Sequence, residues 1–119
     1  MPLVPFIRTI ALDHAALHRG SFEERCFDPC EGAAALRLQT LAGLLCDKKA
    51  IAAGCCARGR QTAFDIKKII LRHDENGAPA IVSLPPEFTP QHRHIAVSLS
   101  HTARFACGCA VFAKALDNG

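Results

Sequence analysis

No apolar run in the 119-residue sequence approaches the roughly 20 residues that a membrane-spanning helix needs. The opening MPLVPFIRTIALDH lacks the basic start and cleavage site of a secretory signal. No membrane association is therefore expected, and the chain is read as cytoplasmic. The phosphate-loop fingerprint, the Rossmann glycine pattern and H-E-x-x-H are all missing, which closes the common motif routes to an activity. There is no internal repeat, no low-complexity segment and no basic run of the kind that binds nucleic acid. With 14 Lys+Arg against 11 Asp+Glu the net charge is +3, a mild bias that suits an anionic ligand or an acidic partner.

Paired C-x-x-C spacing is missing as well. The seven cysteines include Cys26 and Cys30, the adjacent Cys55 and Cys56, and the alternating Cys107 and Cys109. An odd count without a secretory signal points to reduced thiols rather than a disulfide framework. Cys107 and Cys109 would face the same side of a strand as small apolar fillers, which leaves a structural zinc site little support.

What is present is enough for one modest core. Half of the residues are hydrophobic (50%) and 21% are charged, so a folded chain is expected, with residues 1–119 forming a single domain. FIRTIAL, Phe6 to Leu12, fits a short first strand behind Pro5. DHAALHRG fits a short helix capped by Asp13 and closed by Gly20. Asp28-Pro29 marks a new helix start, from which CEGAAALRLQTLAGLLCDKKAIAAG runs helical to a stop at Gly54. FDIKKIIL and PAIVSL flank RHDENGA, where Asn76-Gly77 is a hairpin signal because both residues tolerate positive φ. HIAVSLSHT and RFACGCAVFAKAL give two more strands. The fold class is α+β, with one main helix and an antiparallel meander.

Candidate chemistry lies at the ends of these elements. Asp13 follows the first strand, Lys48 and Lys49 lie on the main helix, and Ser98, Ser100, His101 and Thr102 close the strand SLSHT. The plain alternatives are a helix cap for Asp13 and a polar turn for SHT. Ser100 and His101 are neighbours in a strand and point to opposite faces, so they cannot pair as nucleophile and base.

The order of several weak motifs is distinctive. IALDHAALHR resembles the start of holo-acyl-carrier-protein synthases, a type of 4′-phosphopantetheinyl transferase, where a first strand ends in Asp before a short helix. FEERCFDPCE is similar to their next segment, and LAGLLCDKKAIAAG to their main-helix block, L-A-G-R-F-A-A-K-E-A-x-x-K-A-x-G. FDIKKIILRHDENGAPAIVSL is similar to their hairpin, and HIAVSLSHTARFACGCAV to their S-I-S-H-T strand pair.

This resemblance implies the transferase fold and the transfer of 4′-phosphopantetheine from coenzyme A to a serine of an acyl carrier protein, a step that serves fatty acid biosynthesis. It implies a homotrimer with sites between subunits. It also implies a Mg²⁺ held by Asp13 and a main-helix Glu, bridging the pyrophosphate. Lys48 matches the family lysine, Ser100, His101 and Thr102 take the positions near the coenzyme, and Gly77 and Pro79 take those that shape its pocket.

The departures cluster on the main helix. Lys49 stands where the metal-binding Glu belongs, Ala53 replaces a lysine and Leu44 an arginine. Asp47 lies about 200° around the helix from Lys49 and cannot replace the Glu. Two positions for Lys49 follow: its ammonium enters the metal position and pairs with Asp13, or it snorkels to solvent over its apolar stem. Two functions follow as well. One is a transferase in which Lys48 and Lys49 stabilise pyrophosphate charge and His101 or a water takes the serine proton. The other is a non-catalytic protein that keeps coenzyme A or carrier-protein binding.

Overall fold

The computed structural model describes residues 3–57, 65–74, 78–85 and 95–113. Strand β1 (Leu3–Ala11) is followed by helices α1 (Leu12–Leu17) and α2 (Arg19–Cys26), two short 3-10 turns, and the 20-residue helix α3 (Leu38–Ala57). A hairpin of β2 (Ile70–His73) and β3 (Pro79–Ser83) precedes β4 (Ile95–His101) and β5 (Phe105–Ala113). Among the described residues the strands form an antiparallel three-stranded sheet in the order β1-β5-β4 and a separate pair β2-β3. The expected α+β class, main helix and antiparallel strands are present. The Asn76-Gly77 turn lies outside the described residues.

Strand β1 starts three residues before the expected Phe6 and carries Pro5 within it. Proline is tolerated because β1 is an edge strand, where a missing donor can face outward. The residues expected to cap α1 do not. Asp13 is the second residue of that helix, the cap position is Ala11, and no side chain caps it. Gly20 lies inside α2 rather than closing α1. Asp28-Pro29 does start a helical turn, with a reciprocal capping box between Asp28 and Glu31, but it lasts only Pro29–Glu31. Gly32 then adopts φ 61°, a left-handed conformation that ends the turn and delays α3 to Leu38.

Helix α3 packs across one face of the β1-β5-β4 sheet. The approach is close because glycines lie at the contact. A Cβ on Gly54 would meet the Phe112 ring at 2.1 Å, and one on Gly108 would meet the Asp47 amide nitrogen at 2.4 Å. Gly54, expected as the helix stop, is thus an internal residue that admits a phenyl ring. Leu41, Leu44, Leu45, Ile51, Ile69 and Phe112 form the buried core.

Two charged residues of α3 are fully buried, Asp47 and Lys48. Lys48 Nζ donates to Glu31 Oε1 at 2.5 Å and to the Cys26 carbonyl at 2.7 Å, and it lies 4.4 Å from the Phe27 ring centroid. The same carboxylate accepts from the Asp28 amide at 2.8 Å and from the Leu71 amide at 3.0 Å. Burial lowers the Lys48 pKa, and Glu31 opposes that change. Asp47 has no such partner: among the described residues neither carboxylate oxygen makes a hydrogen bond of good geometry. Its burial pushes the pKa up to about 8, with the nearby Cys109 amide acting in the opposite direction.

These two groups respond differently to substitution. Glu31→Ala leaves the Lys48 charge uncompensated and lowers stability by about 3–5 kcal/mol, whereas Glu31→Gln combined with Lys48→Met recovers most of that loss; denaturant melts of the three proteins check it. For Asp47 the folded chain keeps a proton, up to about pH 8, that the unfolded chain releases near pH 4. Its contribution therefore falls as pH rises through that window. Asp47→Ala gains about 1–3 kcal/mol at pH 8 and less at pH 5, read from thermal melts at the two values.

Candidate functional site

The Leu12 amide donates to the Arg104 carbonyl at 2.7 Å, which ties the end of β1 and the start of α1 to the β4–β5 turn. Thr102 Oγ1 holds that turn by accepting from the amides of Arg104 at 3.2 Å and Phe105 at 3.1 Å. Asp13 and the SHT segment consequently share one end of the sheet. Asp13 is exposed in the first turn of α1, where a carboxylate is favoured by the free amides of the helix start.

A cleft of about 530 Å³ opens between the edge strand β1, helix α1 and helix α3. Ile10, Ala11, Leu45 and Cys46 give it apolar walls. Burial pushes the Cys46 thiol up to about 11, so it stays neutral at ordinary pH. Arg8, Thr9, His14 and Lys49 supply its polar groups, and no carboxylate lines it. Lys49 Nζ lies 5.9 Å from the Phe22 ring centroid, and the His14 ring lies 6.1 Å from the same ring. His14 also stacks on His18 at 4.5 Å.

The expected pairing of Lys49 with Asp13 is absent. Among the described residues the side-chain ion pairs are Arg19–Glu23 and Lys48–Glu31, and Lys49 is exposed. The lysine that turns inward is its neighbour. Lys48, expected to meet a ligand, is fully buried and donates to two protein oxygens. Arg8 was not among the expected site residues. Its signal was a single cation at an inward-facing position of an edge strand.

The remaining expected residues lie elsewhere. His101 pairs with Ala106, which pairs with Ile10, so it stands two strand spacings, about 10 Å, from β1. Leu99 packs on Gly43 of α3, and His101, two residues further, shares that side of the sheet. Ser98 and Ser100 take the opposite, outer face and are exposed. Pro79 pairs with His73 in the separate hairpin and borders an apolar groove of about 740 Å³ between β3 and β4. Gly77 lies outside the described residues. The Asp13 and Lys49 side of the sheet and the His101 side are therefore not joined in one cleft of one chain.

Magnesium demands near-octahedral oxygen ligation, with carboxylates as the protein's contribution. The donor set here does not fit. Asp13 is one carboxylate, its expected companion is the cation Lys49, and Glu31 is occupied by Lys48 and two amides. Among the described residues no group of three or more His, Cys, Asp or Glu could hold a metal ion. The described cysteines whose side chains are placed are all free thiols.

No family model matches the sequence, and no curated protein matches it. Solved structures do. An ACPS–CoA complex from Chronobacterium ammoniagenes superposes with a TM-score of 0.74 at 18% identity, over 98% of this chain and 100% of that one. The acyl carrier protein synthase of Mycobacterium tuberculosis gives 0.68 at 21% identity, over 95% and 99%. A holo-(acyl-carrier-protein) synthase from Bacillus anthracis in complex with CoA (3′,5′-ADP) gives 0.64 at 23%, over 90% and 92%. The superpositions extend over nearly the whole chain, and the fold, a long helix with antiparallel strands, is that of the holo-acyl-carrier-protein synthases.

Proposed function

We propose that this protein transfers 4′-phosphopantetheine from coenzyme A to a serine of an acyl carrier protein. The observation that carries the reading is the near-complete overlap with synthase structures, among them coenzyme A complexes. The order of five motif blocks in the sequence supports it independently. In the transfer the serine oxygen forms a bond to the β-phosphorus of the pyrophosphate. The bond from that phosphorus to the bridging oxygen breaks, and adenosine 3′,5′-bisphosphate leaves. His101 or a water accepts the serine proton, and Lys49 stabilises charge on the phosphate oxygens. Asp13, Ser100 and Thr102 lie at the same end of the sheet as these groups, and Pro79, on the groove between β3 and β4, is assigned to the coenzyme pocket on the resemblance.

The working unit we propose is a homotrimer. Among the described residues no helix covers the outer face of the β1-β5-β4 sheet and no charged residue lies on it; Leu3, Pro5 and Ile7 of β1 and Cys109 and Val111 of β5 form its apolar part. Leu3 is 64% and Ile7 55% exposed. Three such faces turned inward about an axis set the β4 edge of each copy beside the β1 edge of the next. That arrangement brings His101 of one chain toward the Lys49 cleft of its neighbour.

A second reading, a non-catalytic binder of coenzyme A or a carrier protein, is favoured by one observation: a cation stands at the metal-ligand position. Incubation with coenzyme A and an apo carrier protein separates the two. Transfer gives a carrier heavier by one phosphopantetheine arm and an equal amount of adenosine 3′,5′-bisphosphate. Coenzyme binding without that mass gain, restored to transfer in Mg²⁺ by Lys49→Glu with Ala53→Lys, identifies the binder. For the assembly, sedimentation of the parent protein is expected at three times the chain mass. Ile7→Lys, at an exposed position, is expected to give monomers with an unchanged far-ultraviolet spectrum. A parent protein that sediments as a monomer overturns the trimer.

A further inference from the structure

We infer that the cleft between β1 and α3 holds the phosphate groups of its ligand directly, through Arg8, Lys49 and His14, without a divalent cation. The identity of that ligand as coenzyme A rests on the function proposed above; the anion site itself rests on the cleft.

Three observations converge. The cleft concentrates cationic side chains and excludes carboxylates from its lining. Among the described residues its two permanent cations are not neutralised by the protein. Neither belongs to an ion pair there, and the hydrogen bond that Arg8 makes is to the Ile7 carbonyl at 2.9 Å, leaving most of its donors free. Lys49 and His14 both line the cleft and both approach the Phe22 ring. The contrast with Lys48 is direct: of two adjacent lysines, one is buried and bonded to two protein oxygens while the other is exposed and lines the cleft.

The charges of the cleft favour the same conclusion. Its lining carries Lys49 and Arg8 and no carboxylate among the described residues, so a pyrophosphate meets cations there with no acid for a metal ion to offset, and Arg8 adds a planar fork that can grip a phosphate through two bonds. The apolar walls at Ile10 and Leu45 keep water from the contact and strengthen it. The cation at position 49 is then a replacement for the metal rather than a residue that blocks it.

Calorimetric titration with coenzyme A and with inorganic pyrophosphate, each in EDTA and in Mg²⁺, tests this. The expected result is coenzyme A binding in EDTA that Mg²⁺ changes less than about twofold. Arg8→Ala and Lys49→Glu are each expected to weaken it about tenfold or more in EDTA. Lys49→Glu should in addition become Mg²⁺-responsive, because the carboxylate pair is restored. Both residues are exposed, and unchanged melting temperatures confirm that the variants fold. Coenzyme A binding that requires Mg²⁺ overturns the inference and leaves the proposed function standing. Metal-independent pyrophosphate binding without coenzyme A binding supports the anion site and removes the coenzyme reading. No binding of either, or binding in EDTA that neither variant weakens, overturns the site.

Discussion

The Glu31 carboxylate ties together parts of the chain that are far apart in sequence. It accepts from Lys48 of α3, from the Asp28 amide of its own turn and from the Leu71 amide of β2. Through Lys48 it reaches the end of α2 as well, because the same ammonium donates to the Cys26 carbonyl. A buried charge with fewer partners would be strongly destabilising. The pair therefore leaves α3 one rotation about its axis. With Lys48 directed to Glu31, the 100° step per residue sends Lys49 toward the β1 cleft and Asp47 toward β5. One ion pair thus determines which lysine is structural and which is available to a ligand.

That rotation brings its own conflict. Asp47 lies against Gly108, where the missing side chain lets the helix backbone approach the strand. The space that would suit a small apolar residue holds a carboxyl group without a partner. The contact survives near neutrality because the group can remain protonated, its pKa standing at about 8. The packing of helix on sheet is consequently sensitive to pH at its centre, while the Glu31–Lys48 side is fixed by compensated charge.

Much of the fold was legible because its signals are local. The alternation in HIAVSLSHT and the Asp28-Pro29 turn each specify backbone shape within a few residues. The orientation of α3 was not. Residues 41–48 are all buried, so the helix has no polar stripe to define its faces, and Leu38, Leu41 and Leu45 suit an inward Lys49 as well as an inward Lys48. The deciding partner, Glu31, is distant in sequence and looks like an ordinary cap residue. Gly54 misled for a similar reason: a glycine near a helix end signals termination, whereas here the Phe112 ring requires its place. Arg8 was overlooked because a lone cation in a strand usually marks a solvated edge.

The substitutions on α3 can be sorted by what surrounds them. A site that has simply decayed has no reason to keep neighbouring charges in proportion to the residue it lost. In this chain position 49, where the resemblance leads one to expect an acid, is cationic, Asp13 is exposed on α1, and the cleft beside Lys49 carries Arg8 and no acid among the described residues. An unpaired lysine and arginine facing the same apolar-walled cleft repel each other, and the repulsion is relieved by an anion from outside. With no ion pair to a carboxylate among the described residues, these side chains have the chemistry of a receptor for phosphate rather than of a surface patch. The buried Lys48–Glu31 pair contributes to this, since it engages Glu31 and so removes that acid as a partner for Lys49.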